Sequence, residues 1–292
     1  MFERQASGLA SAEAGRGAAQ EAMSVDIRAD AAKYYDLLDF PNDIPFYKAR
    51  VPSPQARALE LGCGTGRVLL PLAGMCGYIH GLDKCEAMLA VCREKLKAAG
   101  IPPEKARVEQ ADIARFDLGR TFDWIIAPYR VFQNLETDGE IEGFFKCVRA
   151  HLAPGASCVL NVFRTYERER LFQEWPRQEE ALFHAKVAGN RRVMFYERRP
   201  RIDKEKLILY PELVCRAYEG EALTEEAVLK IAMRCYYPQP FEDLIVSYGF
   251  RVIGRWGGYG GEPYGQGPEL VVQFAKEESE SQTERRRNGH GN

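Results

Sequence analysis

The sequence predicts an α/β fold, a doubly wound parallel sheet that carries an inserted antiparallel β-sheet. From Ala56 onward, short apolar segments with strand character alternate with helical segments, which is typical of a parallel sheet covered by helices on both faces. Residues 178–237 instead show long stretches of period-two alternation, which indicate antiparallel strands. Because the alternation of helix and strand returns after Pro238, the antiparallel sheet is predicted to be an insertion into the α/β domain.

The elements before the insertion follow from their apolar spacing and from the residues that end them. The helix over 86–100 ends at Gly100, ahead of two prolines that cannot continue it. A turn over 153–155 precedes the last strand of this half. In order, we predict a strand at 58–61, a helix at about 67–73, a strand at 78–82, the helix at 86–100, strands at 107–111 and 122–127, a helix at 140–152 and a strand at 156–163.

The second half of the chain contains the insertion and the return to the α/β domain. The alternating stretches of the insertion are 180–187, 191–199, 206–219 and 227–237, and a helix at 241–250 and strands at 251–256 and 269–275 follow it. We therefore divide the chain into a disordered N-terminal segment 1–25, an α/β domain made of 26–163 and 238–276, the insertion 164–237 and a disordered tail 277–292.

Composition excludes several classes of function. The 292 residues include 40 Lys and Arg against 42 Asp and Glu, so no overall positive charge indicates a nucleic-acid partner. No apolar run is long enough to span a membrane or to form the core of a signal peptide. The eight cysteines form no CxxC pair, so neither a metal site nor a disulfide scaffold is predicted. We expect reduced thiols in a cytoplasmic protein.

A glycine-rich turn, ELGCGTG at 60–66, joins the first strand to the first helix and predicts a nucleotide-type ligand site. Two ligand classes compete for such a turn. A dinucleotide fingerprint, GxGxxG, needs its third glycine at position 67, where this chain has Arg67. Glu60 just before the turn is poorly placed beside a pyrophosphate but suits a cationic ligand. Both observations disfavour a dehydrogenase.

This turn resembles the first motif of the class I S-adenosylmethionine-dependent methyltransferases. The resemblance covers most of 30–276, although Ala156 replaces a glycine that is common in the family. It implies a Rossmann-like methyltransferase sheet, S-adenosyl-L-methionine as cofactor and S-adenosyl-L-homocysteine as product. Asp83 matches the acidic residue that binds the ribose hydroxyls, and a carboxylate accepts such donors well. Asp112 and Ile113 match the pair that contacts the adenine.

The resemblance also implies the remaining cofactor contacts. In related methyltransferases a tyrosine-bearing N-terminal helix forms a lid over the cofactor, and residues 31–47 are similar to it. Aromatic rings are attracted to a sulfonium by about 0.5–2 kcal/mol each. The expected cofactor-binding residues are Tyr35, Tyr47, Glu60, Gly62, Gly64, Gly66, Asp83, Lys84, Met88, Asp112, Ile113 and Ala127.

The acceptor site is expected at the carboxyl edge of the sheet and in the insertion. The insertion resembles that of small-molecule methyltransferases, including those that N-methylate amino sugars, where it forms the acceptor pocket and a homodimer contact in some members. Residues 186–206 contain eight basic and three acidic residues, which favours an anionic acceptor or an exposed charged face. The expected substrate-binding residues are Tyr129, Arg130, Phe132, Arg198 and Tyr237, with Tyr129 and His184 as candidate catalytic residues.

The sequence therefore predicts methyl transfer to a nitrogen or oxygen of a small molecule by in-line displacement. Such a reaction depends mainly on alignment, and an amine acceptor needs no general base if it is present unprotonated. Two alternatives stay open at this point. The acceptor could be a protein or an RNA, or the chain could bind the cofactor without turnover.

Overall fold

A computed structural model describes residues 31–165, 167–175 and 177–277, and it describes the backbone but not the side chains of 183–188. The predicted N-terminal segment 1–25 and the tail beyond Glu277 lie outside the described residues.

A seven-stranded, mostly parallel sheet forms the centre of the α/β domain, as the sequence predicts. Its strands are β1 (Arg57–Leu61), β2 (Tyr78–Asp83), β3 (Ala106–Gln110), β4 (Phe122–Ala127), β5 (Leu152–Phe163), β11 (Phe250–Trp256) and β12 (Glu269–Lys276). The strand order is β11-β12-β5-β4-β1-β2-β3, and β12 runs antiparallel to both of its neighbours. The first strand therefore lies near the middle, where the order of the strands reverses.

The helices of this domain cover the sheet through apolar faces, and local capping fixes where the longer ones begin. The Cys85 side chain caps α4 (Glu86–Ala98) by accepting from the Met88 backbone N–H. Thr137 and Glu140 form a capping box at the start of α5 (Asp138–His151), in which the side chain of each accepts from the backbone N–H of the other. The remaining helices of the domain are α3 (Leu69–Ala73) and α7 (Pro238–Ser247).

The insertion forms a separate antiparallel sheet, also as predicted. Arg164 and Tyr236 form a β-bridge, so the chain leaves and re-enters the α/β domain at neighbouring points. A helix, α6 (Arg168–Glu174), precedes the sheet and was not predicted, because its short apolar pattern gives little periodicity to detect. The strands are β6 (Arg177–Ala188), β7 (Arg191–Asp203), β8 (Ile208–Glu219), β9 (Ala222–Lys230) and β10 (Met233–Arg234).

The N-terminal region contains two short helices, α1 (Ala32–Tyr35) and α2 (Ile44–Lys48), instead of one continuous helix over 31–47. Pro41 explains the interruption, because a proline disfavours helical geometry in the residue before it and supplies no backbone N–H. In the part of the chain that the structure describes, no helix combines the length and apolar composition needed to cross a bilayer.

Candidate active site

A cavity of about 300 Å³ lies at the carboxyl edge of the parallel sheet, between the α/β domain, the N-terminal region and the inserted sheet. This is the edge at which doubly wound sheets bind ligands. The α/β domain contributes Gly62, Gly64, Asp83, Met88, Pro128, Tyr129, Arg130, Val131 and Asn134 to its lining, and the N-terminal region contributes Tyr35, Leu38 and Asp39. The insertion contributes Leu182, Glu197, Pro211, Glu212, Leu213, Leu229, Ile231 and Met233.

The glycine turn is organised by Asp83, at the end of β2. One carboxylate oxygen of Asp83 accepts from the Gly64 backbone N–H at 2.9 Å, and the other accepts from the Cys85 N–H at 2.9 Å. Gly62, Gly64 and Gly66 all have positive φ angles, which glycine adopts without strain. Asp83 is only 4% exposed, so its carboxylate is held rigidly against the cavity that it lines.

A smaller cavity of about 40 Å³ adjoins the first and contains the predicted adenine contacts. The two share Gly62, Asp83, Val131 and Asn134 in their linings. Asp112, Ile113 and Lys84 line the smaller one. The structure thus brings Asp83 and the pair Asp112–Ile113 to one continuous site, as their order in the sequence led us to expect.

The loop after β4 forms the floor of the large cavity. Tyr129 and Arg130 have φ angles of 53° and 65°, a left-handed conformation that is uncommon for residues other than glycine. Burial raises the pKa of the Tyr129 phenol, although Arg130 and Arg67 oppose this shift. The phenol is therefore neutral near pH 7.

The N-terminal region is attached to the glycine turn by charged pairs. The Arg67 guanidinium donates to both carboxylate oxygens of Asp43, at 2.5 and 2.7 Å, and the Asp43 side chain is fully buried. The Thr65 hydroxyl donates to Asp36 at 2.7 Å. Arg67 also lies over the rings of Phe40 and Tyr129. The residue that excluded a dinucleotide fingerprint therefore connects the turn, the N-terminal region and the floor of the cavity.

The wall formed by the insertion combines apolar side chains with carboxylates. Leu213, Leu229 and Met233 line it together with Glu197 and Glu212. Asp39 faces the same cavity from the N-terminal region and makes no ion pair within the described residues. Among the described residues that line the cavity, Arg130 is the one basic side chain, and it pairs with Glu269.

Several predicted site residues lie outside these linings. Tyr47 is fully buried against Phe46, Trp124 and Tyr259, so the lid tyrosine that reaches the cavity is Tyr35 and not Tyr47. Phe132 is fully buried in the core beside Phe144 and Tyr236, and this contradicts a substrate contact.

Glu60, Gly66 and Ala127 support the site from behind. Glu60 is 2% exposed, and one of its oxygens has no hydrogen-bond partner in the part of the chain that the structure describes. Burial raises the pKa of its carboxyl well above the ordinary value. A Cβ at Gly66 would lie 2.5 Å from the Cys92 sulfur, so this glycine allows close packing on α4. Ala127 is fully buried at the end of β4.

Arg198 and Tyr237 were expected in the acceptor site and are absent from the lining. Arg198 donates to Glu179 at 2.7 Å in a charged network, while its neighbour Glu197 lines the cavity. Strand alternation thus presents a carboxylate to the cavity where an arginine was expected. Tyr237 precedes α7 at its N-terminal end. His184 pairs with Met194 in the sheet, and its side chain lies outside the description.

Sequence reasoning missed Asn134, Val131, Leu38, Asp39 and Glu197, all of which line the large cavity. Asn134 and Val131 follow the predicted floor residues within one turn of 3₁₀ helix, Val131–Asn134, so the end of β4 was a signal that could have included them. Glu197 became identifiable only when the strand register was known.

Comparison with known proteins gives one domain match. Residues 58–155 match the family described as "Methyltransferase domain". A dTDP-3-amino-3,6-dideoxy-α-D-glucopyranose N,N-dimethyltransferase from Streptomyces fradiae is 26% identical over 144 residues, which are 46% of this chain and 54% of that protein. A phosphatidylethanolamine N-methyltransferase from Cereibacter sphaeroides is 37% identical over 84 residues, 28% of this chain and 40% of that protein. The chain spans about half the length, or less, of these curated relatives.

Solved structures share the fold over nearly their whole length. An S-adenosylmethionine-dependent methyltransferase from Clostridium acetobutylicum aligns with a TM-score of 0.69 at 16% identity, covering 85% of this chain and 98% of that chain. A sugar N-methyltransferase from Streptoalloteichus aligns with a TM-score of 0.61 at 19% identity, covering 95% and 98%. These likenesses establish the architecture.

Proposed function

We propose that this protein transfers a methyl group from S-adenosylmethionine to the nitrogen of a small amine, a proposal supported by the match of residues 58–155 to the family described as "Methyltransferase domain". The observation that carries the proposal is the single site in which Asp83 and the glycine turn adjoin a cavity lined by carboxylates. The choice of an amine goes further than the sequence prediction, which left the acceptor atom open between nitrogen and oxygen.

The residues of the site fit the cofactor. Asp83 offers a fixed carboxylate for ribose hydroxyls, and Asp112 with Ile113 offers an acceptor and an apolar surface for adenine in the adjoining cavity. Gly64 leaves open space beside Asp83, because a Cβ there would meet no described heavy atom closer than 4.0 Å. Tyr35 and Tyr129 supply aromatic rings to the larger cavity, where a sulfonium would be attracted to them.

The charges of the cavity favour a cationic acceptor over an anionic one. Asp39, Glu197 and Glu212 line it. Arg130 pairs with Glu269, Glu197 with Arg199, and Glu212 with Arg198 and Lys230. Of the three carboxylates, Asp39 has no ion pair among the described residues. A phosphate group would meet carboxylates there without an unpaired arginine or lysine among the described lining residues. The basic residues that suggested an anionic acceptor are instead paired, as Arg198 is with Glu179 and Arg199 with Glu197. We therefore infer an amine with an apolar body and no phosphate.

Catalysis in this proposal relies on alignment and on exclusion of water. S-adenosylmethionine, when bound, supplies an electrophilic methyl group on sulfur. The Asp39 carboxylate attracts the ammonium form of the amine, which releases its proton to solvent water before the neutral nitrogen attacks. The neutral Tyr129 phenol orients the nitrogen, and the apolar side chains Leu213, Leu229 and Met233 keep the reacting groups dry.

The cofactor assignment is tested by calorimetric titration with S-adenosylhomocysteine. We expect micromolar binding by the wild type and a loss of about 1–3 kcal/mol in Asp83→Ala, which removes charge-assisted hydrogen bonds. Asp117→Ala is the matched control, because Asp117 also accepts from a nearby backbone N–H but lies outside both cavities. Tight binding of a nicotinamide dinucleotide in place of S-adenosylhomocysteine would overturn the proposal.

The acceptor assignment is tested with Asp39→Asn, which removes a carboxylate that has no ion pair among the described residues and changes little in volume. For an amine acceptor we expect KM to rise about 10-fold, the equivalent of roughly 1.4 kcal/mol, with cofactor affinity unchanged. Asp243→Asn on the outer surface of α7 serves as the control. An unchanged or lower KM in Asp39→Asn would argue against a cationic acceptor.

Two further features belong to the proposal. We infer a homodimer through the inserted sheet, which sedimentation of the wild type tests directly. We infer the cytoplasm as compartment, since all eight cysteines are free thiols, as a reducing environment keeps them.

A further inference from the structure

Two adjacent residues on the floor of the cavity have an unfavourable backbone conformation. Within the described residues, three side-chain-bearing positions have positive φ, and two of them are the neighbours Tyr129 and Arg130. Such conformations persist only where the surrounding structure imposes them, and they concentrate at functional sites. The residues around this turn must therefore hold it in place.

A closed set of hydrogen bonds holds the turn at Tyr129 and Arg130. The Arg130 backbone N–H donates to the Asn161 side-chain oxygen at 3.2 Å, and the Asn161 amide donates to a Glu269 oxygen at 2.8 Å. Glu269 in turn accepts from the Arg130 guanidinium, through Nε at 3.0 Å and through a terminal nitrogen. Backbone and side chain of Arg130 are therefore fixed by one carboxylate, directly and through one amide.

Two of the three members of this set are buried, whereas the Arg130 side chain is 33% exposed. Asn161 is fully buried and Glu269 is 4% exposed. Burial lowers the pKa of Arg130, but its hydrogen bonds and charge interaction with Glu269 outweigh this and raise it. Removing one charge of a buried pair leaves the other uncompensated, and the remaining group then moves toward water or a new partner.

The same loop continues into contacts with the insertion. Gln133 is fully buried and donates to the Arg234 carbonyl at 2.7 Å, while it accepts from the Phe163 N–H at 2.8 Å. The Asn134 amide donates to the Ala232 carbonyl at 2.9 Å. A shift of the turn at Tyr129 and Arg130 would therefore reach the wall of the cavity as well as its floor.

We propose that Glu269 is a positioning residue of the acceptor site, acting through Arg130 and Asn161 to hold the left-handed turn that places Tyr129 in the cavity. That the cavity binds a methyl acceptor rests on the proposed function, whereas the placement of Tyr129 does not. Glu269 lies at the start of β12, remote in sequence from every motif that identified the site.

The test uses full-length protein with 3-fluorotyrosine incorporated at position 129 alone, observed by ¹⁹F NMR. We expect one resonance in the wild type and two or more, or one broadened by exchange, in Glu269→Gln. We also expect the phenol pKa at position 129 in the variant to fall toward that of an exposed 3-fluorotyrosine, because the turn opens and Arg130 loses its partner. Glu242→Gln is the matched control, since Glu242 pairs with Arg255 away from the cavity. Its spectrum should equal that of the wild type.

A second variant keeps the proposal testable if Glu269→Gln does not fold. Asn161→Ala removes the acceptor of the Arg130 N–H without adding or removing charge, and it should give the same heterogeneity at Tyr129. If an amine acceptor is in hand, kcat/KM should fall roughly 10- to 100-fold in both variants, as expected for a misplaced group.

The proposal is overturned if both variants fold and the Tyr129 resonance and its titration stay those of the wild type. Titration with S-adenosylhomocysteine separates this result from failure of the proposed function. A wild type that does not bind it refutes the methyltransferase assignment, whereas the comparison of ¹⁹F spectra still decides the role of Glu269.

Discussion

The buried pair between Arg67 and Asp43 should be a large contributor to stability. Its two N–O distances are 2.5 and 2.7 Å, and the side chains are 15% and 0% exposed. Arg67→Met keeps much of the apolar contact with Phe40 and Tyr129 but leaves the Asp43 carboxylate buried and unpaired. We expect the free energy of unfolding to fall by about 3–5 kcal/mol, the usual cost of breaking a buried pair from one side.

Urea denaturation at pH 7 measures this, with a double-mutant cycle. Asp43→Asn in the Arg67→Met background removes the stranded charge, so we expect the double variant to recover at least about 1 kcal/mol relative to Arg67→Met. Arg93→Met is the control, because Arg93 pairs with Glu86 on the surface with side chains 44% and 55% exposed. Such an exposed pair contributes about 0–1 kcal/mol.

The reasoning would be refuted if Arg67→Met lost no more stability than Arg93→Met. Equal losses would show that the N-terminal region is not held to the glycine turn by charge. The apolar contacts of Arg67 would then have to account for its position.

The remaining predictions concern packing and titration. Gly62→Ala should cost about 1–3 kcal/mol in urea denaturation, because its Cβ would lie 2.2 Å from a Val131 methyl group at a φ of +72°. Adding Val131→Ala should restore part of that loss. Burial lowers the pKa of His80 to about 4, although Glu109 opposes this. The unfolded chain therefore binds this proton first, and stability should fall from about pH 6.5 to pH 4, with a slope of up to about 1.4 kcal/mol per unit. His80→Gln should lack this contribution to the slope.

Much of the α/β domain could be predicted from the sequence, because its signals are local. The strand Phe122–Ala127 was predicted with the bounds that the structure shows, and the other strands before the insertion within a few residues. Period-two alternation likewise identified the inserted sheet. The short helix α6 was missed, and the N-terminal helix was predicted as one element although Pro41 divides it.

Which residues line the cavities could be predicted from the sequence where one motif fixes their position, and less readily where packing does. Gly62, Gly64 and Asp83 lie together because a strand end, a turn and a second strand end necessarily meet at one sheet edge. Phe132 and Tyr47 have the same residue types as cavity-lining aromatics, and only the tertiary packing shows that they are core residues.

The inserted sheet shows why register matters for function. Its sequence identifies alternating faces but not which face meets the cavity, and a shift of one residue exchanges the two. The structure presents Glu197 to the cavity and places Arg198 in a charged network with Glu179. This exchange removes the arginine on which the expectation of an anionic acceptor depended.

The central claim is tested most directly by following the methyl group itself. The wild type is incubated with S-adenosylmethionine carrying a deuterated methyl group and a pool of small apolar amines, and the products are analysed by mass spectrometry. We predict that the label appears on the nitrogen of an amine, and that Gly64→Arg, whose side chain would occupy the cavity beside Asp83, transfers none. Label that remains entirely on S-adenosylmethionine with every amine, or that appears only on acceptors without nitrogen, would contradict the account.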